Sequence, residues 1–238
     1  MKKSILLFAL AISTGFAATA QSADHFESDR LKPVQGDVTA EFGLTGGILN
    51  SDFTLNEGTS GLLRFRYFMK DDLALRIGAN IAISNTNHKF YGTGTNEGKT
   101  TDFKSLTLVN LGLEKHFRGT HRLSPYVGGD LLLGYQTSKI TALNNDGVSY
   151  VPNTKVTQSG PGTFGVGLRG VFGTDFYIYK SLFIGAEAGL GAMFAIEGKT
   201  KTTTTVGNTT SSVTNKSAGN AFSLSPTMVT GVRIGFVF

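Results

Sequence analysis

The sequence predicts an all-β fold, an eight-stranded antiparallel up-and-down transmembrane β-barrel with short periplasmic turns and long extracellular loops. Three features of its 238 residues predict this fold: a secretory leader, segments of alternating polarity, and connections that are alternately short and long. Alternation places successive side chains on opposite faces of a strand. This arrangement suits a wall with lipid on one side and a polar lumen on the other.

The leader begins with Met1 and two lysines, continues through an apolar run and ends in Ala18-Thr19-Ala20, which has the pattern of a cleavage site. The apolar run is shorter than the ~20 residues that a membrane-spanning helix needs. We therefore expect export from the cytoplasm, and the alternating segments below make the cell outer membrane the expected location. The expected organisation is a cleaved signal peptide over residues 1–20, a periplasmic N-terminal tail over 21–34 and the outer-membrane β-barrel domain over 35–238.

Two segments alternate most cleanly. In residues 73–84, aliphatic side chains occupy the odd positions and small or polar side chains, with one arginine, occupy the even ones. In residues 227–238, mainly apolar side chains occupy the even positions up to Phe238. Six further segments alternate less regularly and complete the eight strands: 36–49, 60–69, 103–117, 123–136, 162–177 and 182–196.

The segment 103–117 departs from the pattern, because Leu106 and Leu108 fall on its lumen face while Ser105 and Thr107 fall on its lipid face. A β-bulge or a one-residue register error would explain this exchange, since a shift of one residue swaps the two faces of a strand.

The connections support the hairpin order of an outer-membrane barrel. Short turns at 70–72, 118–122 and 179–181 are expected in the periplasm, together with both termini. We expect Pro125 and Pro226 at the membrane borders, where a missing ladder hydrogen bond can be replaced by water. Long polar loops are expected outside the cell, at 50–59, 85–102, 137–161 and 197–221. Aromatic residues expected at the periplasmic interface are Phe117, Phe172, Phe176, Tyr177, Tyr179, Phe236 and Phe238.

Composition and motif spacing argue against several classes of function. Charged residues make up 16% of the chain, Gly occurs 31 times and Cys is absent, so no disulfide or thiolate chemistry is available. The net charge of +5 includes the two lysines of the leader, and no basic stripe interleaved with aromatic residues predicts nucleic-acid binding. No metal-ligand spacing of the His-Glu-x-x-His type occurs. We expect no metal, no cofactor and no nucleic-acid partner.

The lumen face carries charges of both signs. Opposite charges in a confined interior reduce each other's desolvation cost, so we interpret this set as a salt-bridged core that fills the barrel. The alternative is a small pore that opens when one Arg–carboxylate pair breaks, with Glu187 and either Arg169 or Arg233 as the first pair to test. The proposed lumen network is Asp37, Glu41, Arg64, Arg66, Arg76, Lys104, Glu114, Asp130, Arg169, Glu187 and Arg233.

Enzymatic chemistry is not expected. None of the four histidines is followed by Ser two residues later, as the His-x-Ser arrangement of lipid A deacylases would require. His116 shares a strand face with Glu114, which favours a lumenal hydrogen bond. Residues 199–217 are rich in Thr, Ser and Asn. They form either a solvated loop or strands that protrude from the membrane as a sheet edge for a partner protein.

The chain resembles the small OmpA-like and OmpX-like outer-membrane barrels over residues 35–238. The resemblance rests on the hairpin-linked strands, the stretch LFIGAEAGLG at 182–191 and the terminal GVRIGFVF. The resemblance implies that Val232, Ile234, Phe236 and Phe238 form the signal read by the barrel-insertion machinery. It also implies contact with outer-membrane lipids and lipopolysaccharide, and a monomer.

From the loops and the resemblance we expect a structural or adhesin-like surface role, with an extracellular ligand bound through the loops. The alternatives are a low-conductance pore and, less favoured, a lipid-modifying enzyme. The main structural rival is a soluble lipocalin-like barrel, which would keep its apolar residues inside.

Overall fold

Every regular element in the described part of the chain is a β-strand. The computed structural model describes residues 31–43, 62–94, 96–146, 149–216 and 219–238, without the side chains of 43, 62 and 225–232. The expected signal peptide, most of the tail and the predicted connection 50–59 lie outside these residues. The strands are β1 (Val38–Gly43), β2 (Leu62–Lys70), β3 (Leu73–Tyr91), β4 (Glu97–His116), β5 (Leu123–Asn145), β6 (Tyr150–Ser159), β7 (Thr163–Tyr179), β8 (Leu182–Glu197), β9 (Thr200–Val206), β10 (Thr209–Asn215) and β11 (Asn220–Val237).

Eight of these strands form a closed antiparallel ring. The order around it is β1, β2, β3, β4, β5, β7, β8 and β11, and β11 returns to β1 with Ile234 opposite Phe42. The predicted eight-stranded barrel is therefore confirmed. Its three short turns also lie where the sequence predicts them, between β2 and β3, β4 and β5, and β7 and β8.

The ring continues above one end of the barrel as paired strands. β5 pairs with β7 up to Gln136–Thr163 and then with β6 from Lys139–Ser159, so β6 and β7 behave as one strand bent by a one-residue shift. In the same way, β9 continues the path of β8 and β10 continues the path of β11. β9 also pairs with β6. We call the upper parts of β3, β4 and β5 together with β6, β9 and β10 the extension.

Three segments that the sequence predicts as loops are wrong in this respect: 85–102, 137–161 and 197–221 consist largely of strands. Of the two interpretations of 199–217, the structure shows the strands of the second, β9 and β10, and the partner for their edge stays a prediction. Alternation of polarity depends on lipid touching one face. Beyond the apolar belt neither face needs apolar side chains, so the strands persist while their hydropathy signal disappears.

No β-bulge causes the exchange of faces in the predicted strand 103–117. β4 pairs without a register shift with β3 on one side and with β5 on the other. Leu108 lies on the lumen face, where its side chain covers Gly134. The local change reflects an apolar layer inside the barrel and not a slipped strand.

The outer face of the barrel is apolar over about one membrane thickness. On β3, Leu75, Ile77, Ile81 and Ile83 expose 44–66% of their area, and Asn85 and Lys89 follow in the same outward positions. A soluble barrel would not expose so large an apolar patch. No helix among the described residues is long and apolar enough to cross a membrane.

The strand that contains Pro226 begins earlier than the sequence predicts, at Asn220. Pro226 lies inside β11 opposite Leu190, a few residues before an irregularity in the pairing between Val229 and Arg233. Proline lacks the N–H needed for a regular ladder, and its position beside this irregularity accords with that. Pro125 is the third residue of β5 and lies near the turn end of that strand.

Candidate functional site

The lumen holds a cluster of buried charges to which all eight barrel strands contribute. Glycines on the same inner face, such as Gly185 and Gly112, leave room for the long side chains, because an added Cβ at either position would meet a carboxylate of the cluster. The cluster contains five guanidinium groups and five carboxylates: Arg64, Arg66, Arg76, Arg169 and Arg233 with Glu41, Glu114, Asp130, Asp175 and Glu187.

Glu187 on β8 is one centre of the cluster. Arg64 donates hydrogen bonds to its two carboxylate oxygens at 2.9 and 2.8 Å, and Arg76 does so at 2.9 and 3.0 Å. The Tyr126 hydroxyl donates a further bond of 2.8 Å, and Arg233 lies 3.8 Å away. This one carboxylate thus ties together strands β2, β3, β5 and β8.

Arg66 on β2 is the second centre. It contacts Glu41, donates to Glu114 at 2.8 Å and donates to Asp175 at 2.6 Å. Arg233 on β11 completes this side by donating to Glu41 at 2.7 Å and to Asp175 at 3.0 Å. Each carboxylate of this group therefore has two or more cationic neighbours.

Burial of the cluster is nearly complete. Arg64, Arg66, Arg76 and Arg233 each have 0% exposure. Such charges are tolerated in a lumen because equal numbers of opposite charges and close hydrogen bonds offset their desolvation. Since an eight-stranded barrel is only wide enough for side chains to fill it, these four arginines and their partners fill the lumen at this level.

Aromatic side chains fill the lumen on the turn side of the charges. Phe68, His116, Tyr126, Tyr177 and Phe183 are between 0% and 6% exposed and form what we call the aromatic floor. The Arg66 guanidinium lies 5.0 Å from the ring centre of Phe183, within range of a cation–π interaction. The prediction that Tyr177 lies at the lipid interface is wrong, because its position on β7 places it inside.

Apolar side chains lie above the charges, toward the extension. Leu132 is 5% exposed, and the side chains of Leu108 and Met193 each lie within 4 Å of the position that a Cβ would take at Gly134. The charge cluster is thus enclosed between the aromatic floor and an apolar layer. Removal from water on both sides strengthens the ion pairs and makes any unpaired member costly.

Nine of the eleven residues predicted for the lumen network belong to the cluster. Asp37 lies apart near the turn end, where its carboxylate accepts a hydrogen bond from the Val34 backbone N–H at 2.8 Å. Lys104 lies toward the extension with a 60% exposed side chain, 3.7 Å from Asp102. Of the two pairs chosen for testing, Glu187 approaches Arg233, whereas Arg169 binds Asp130 at 2.5 Å.

Sequence reasoning missed Asp175, Tyr126 and Phe183. Asp175 has the same parity on its strand as Arg169, so the alternation that identified the arginine also places the acid in the lumen. The aromatic residues carried no such signal, since aromatic rings near strand ends are equally common at the lipid interface.

Ser124, His116 and Glu114 form a hydrogen-bonded chain that includes the residue types of a hydrolase triad. The Ser124 hydroxyl lies 2.9 Å from His116 Nδ1, and His116 Nε2 lies 3.0 Å from Glu114. Ser124 and His116 are 5% and 6% exposed, and Glu114 is held by Arg66 and Arg76. A nucleophile needs access to its substrate, so we interpret this chain as support for Glu114.

Two other predicted features are placed by the structure. In the terminal segment, Ile234, Phe236 and Phe238 expose 42–64% of their area, whereas the Val232 side chain lies outside the described part. Within the described residues, no group of three or more His, Asp or Glu side chains is arranged to hold a metal ion.

Comparison with known proteins identifies relatives at the level of family and fold. The model of the family described as "Putative OmpA-OmpF-like porin family" matches residues 56–196, more than half of the chain. None of the curated proteins matches it in sequence.

Solved structures with a similar course of the chain include three outer-membrane proteins. Ail, the attachment invasion locus protein of Yersinia pestis, is 14% identical with a TM-score of 0.40, covering 86% of this chain and 99% of its own. A major outer membrane protein from Thermus thermophilus is 12% identical with a TM-score of 0.46, covering 85% and 99%. OprG from Pseudomonas aeruginosa is 16% identical with a TM-score of 0.39, covering 88% and 99%.

Proposed function

Because this chain belongs to the OmpA-OmpF-like porin family of outer-membrane β-barrels, we propose that it serves at the cell surface as a closed barrel that presents the extension to partners. The barrel has a structural role in the membrane and an adhesin-like role outside it. The ion cluster provides stability and closure, and the extension provides the recognition chemistry.

The observation that carries this proposal is the complete burial of four arginines across the lumen. An ion-conducting path would have to pass between Arg64, Arg76 and Glu187, whose hydrogen bonds are 2.8–3.0 Å long. Breaking these bonds leaves charges without partners in a poorly hydrated interior, which is strongly unfavourable. The resting barrel therefore favours a closed state.

The extension supports the surface role. β10 is exposed at every position and pairs with β9 on one side. In the described part of the chain no strand pairs with its other edge. An unpaired strand edge presents backbone N–H and C=O groups to which a partner's strand can add.

Single-channel recording in a planar bilayer tests closure. We expect the refolded wild-type chain to produce no discrete conductance steps. Regular steps in the wild type that change in size in Glu187→Ala, but not in Glu97→Ala outside the lumen, would show a conducting pore and overturn the closed-barrel proposal.

Removal of the β9–β10 hairpin tests the surface role. We expect a chain lacking residues 200–215 to keep its barrel, seen as heat-dependent gel mobility, and to lose most adhesion of expressing cells to a matrix-coated surface. Unchanged adhesion with an intact barrel would contradict a role for this edge.

A small gated pore is the second candidate. The observation that favours it is the sharing of carboxylates: Arg64 and Arg76 both bind Glu187, and Arg66 bridges Glu114 and Asp175. An arginine in such a cluster can exchange partners without passing through a fully unpaired state. We place enzymatic activity last, since Ser124 and His116 are almost fully buried.

A further inference from the structure

One outward face of the extension is rich in lysine and threonine. Strand pairing continues the lipid-facing side of β5 upward through Thr137, Lys139 and Thr141. Their partners across β4, β6, β9 and β10 define one continuous outward face. We call it the basic face.

Five exposed lysines lie on the basic face. Lys139 and Lys201 share one cross-strand row, separated by Ser159, and Lys99 and Lys155 share another, separated by Leu143. Strand spacing places the members of each pair about 10 Å apart at their Cα atoms. The fifth, Lys89, stands opposite Lys99 and is paired with Glu97 at 3.0 Å.

The other four lysines are free to bind an external anion. Among the described residues, no acidic side chain forms an ion pair with Lys99, Lys139, Lys155 or Lys201. Glu97 is the one acid that the strand register of the described residues places on this face, and Lys89 engages it. The face therefore carries an uncompensated positive charge.

A row of hydroxyl groups runs between the two lysine rows. Thr101, Thr141, Thr157, Thr203 and Ser212 are consecutive cross-strand partners on β4, β5, β6, β9 and β10. Hydroxyls both donate and accept hydrogen bonds, as sugar hydroxyl groups do. Ammonium groups bind phosphate as point charges. Alternating rows of this kind fit a phosphorylated saccharide.

The basic face stands directly above the lipid-facing belt. Tyr135, 53% exposed, is the last large outward side chain of β5 before the basic face begins, and Lys139 follows four residues later, about 13 Å along the strand. With the apolar belt in the hydrocarbon core of the bilayer, side chains at this height and direction would face the headgroups of the surrounding outer leaflet. An aqueous protein partner would have to enter between the barrel and those headgroups.

We propose that the basic face binds the phosphorylated saccharide headgroup of lipopolysaccharide in the surrounding outer leaflet. The lysine rows hold the phosphates and the threonine row holds sugar hydroxyls. Bound glycolipid would fix the height of the barrel in the membrane and brace the outer side of the extension. This interaction is separate from the proposed closure of the lumen and would persist if the barrel conducted.

Titration of the refolded chain in zwitterionic detergent with fluorescent lipopolysaccharide tests the proposal. The variant Lys99→Gln/Lys139→Gln/Lys155→Gln/Lys201→Gln removes the four free lysines. A basic residue near an anionic membrane surface contributes roughly a fivefold gain in affinity, so we expect binding to weaken at least about tenfold. Lipopolysaccharide stripped of phosphate should bind the wild type as weakly as the intact glycolipid binds the variant.

The matched control is Lys70→Gln/Lys115→Gln/Arg118→Gln/Lys180→Gln, which removes the same charge at the turn end and should bind like the wild type. Heat-dependent gel mobility checks folding, and the paired variants Lys139→Gln/Lys201→Gln and Lys99→Gln/Lys155→Gln provide smaller perturbations. The proposal would be overturned if dephosphorylated glycolipid bound as well as the intact one, or if the quadruple variant bound like the wild type. It would equally be overturned if the control lost as much binding as the quadruple variant, or if excess inorganic phosphate displaced the glycolipid completely.

Discussion

At the scale of single residues, the barrel depends on charges that have no access to water. Arg66 illustrates the arrangement, with three carboxylates around its guanidinium and the Phe183 ring 5.0 Å from it. A buried pair of this kind is often no better than a well-packed apolar pair, but loss of one partner leaves the other unpaired. The cluster therefore makes the fold sensitive to the loss of any single member.

Glu187→Ala is expected to destabilise the barrel by about 3–5 kcal/mol, because it strips Arg64 and Arg76 of their principal acceptor in the interior. Equilibrium unfolding in urea from lipid vesicles measures the change. The control Glu97→Ala removes an exposed partner of Lys89 and should change stability by less than ~1 kcal/mol. Equal effects of the two substitutions would show that the lumen pairs contribute no more than a surface pair.

A surface pair at the turn end gives a pH-dependent prediction. The Lys115 ammonium donates a hydrogen bond to Asp72, which lowers the pKa of that carboxyl below its usual value. Because the folded-state pKa is depressed, this contribution is present above the unfolded pKa of about 3.9 and is lost as pH falls through the folded value. In Lys115→Gln we expect Asp72 to titrate at higher pH, measured from its side-chain carboxyl carbon by NMR. An unchanged midpoint would contradict the pairing.

At the scale of elements, alternation in the sequence predicted the strands wherever lipid covers one face. β3 from Leu73 to Ile83 shows it clearly, and the pairing with β2 and β4 keeps that parity. The upper halves of β3, β4 and β5, and all of β9 and β10, were invisible to the same reasoning because both of their faces are polar or wet. The lumen cluster was mostly predictable for the same reason as the strands, since parity assigns each charge to a face. The particular partners depend on three-dimensional register, which parity alone does not give.

Close approach between neighbouring strands explains one glycine of the last strand. A Cβ at Gly235 on β11 would overlap the ring of Phe183 in the aromatic floor. We expect Gly235→Ala to destabilise the barrel by about 1–3 kcal/mol through overpacking. Gly170→Ala on β7 is the matched control, because an added Cβ there meets no atom within 4 Å, and it should stay within ~0.5 kcal/mol of the wild type. Urea unfolding compares the two variants, and a Gly235→Ala as stable as Gly170→Ala would refute the packing argument.

At the scale of the whole molecule, three layers follow one another along the barrel axis: the aromatic floor, the charge cluster and the apolar layer, with the extension above them. Each barrel strand contributes to the cluster, so the ring closes around an ionic core instead of the hydrophobic core of a soluble protein. The apolar surface that a soluble protein would bury lies outside, against lipid. This inversion is what the alternation predicted, and the apolar belt indicates which part of each long strand lies in the membrane.

The position of the membrane along these strands is itself testable on β3. Ile77 is 44% exposed and lies in the middle of the apolar belt, whereas Asn87 points outward from the same strand within the extension. Arginine on the lipid face of a barrel costs about 2–4 kcal/mol at the bilayer midplane and near zero in water. We therefore expect Ile77→Arg to lower the free energy of unfolding in lipid vesicles by that amount, while Asn87→Arg leaves it unchanged. Were the two substitutions to cost the same, the boundary between belt and extension would lie elsewhere, and the basic face would not stand at the height of the headgroups.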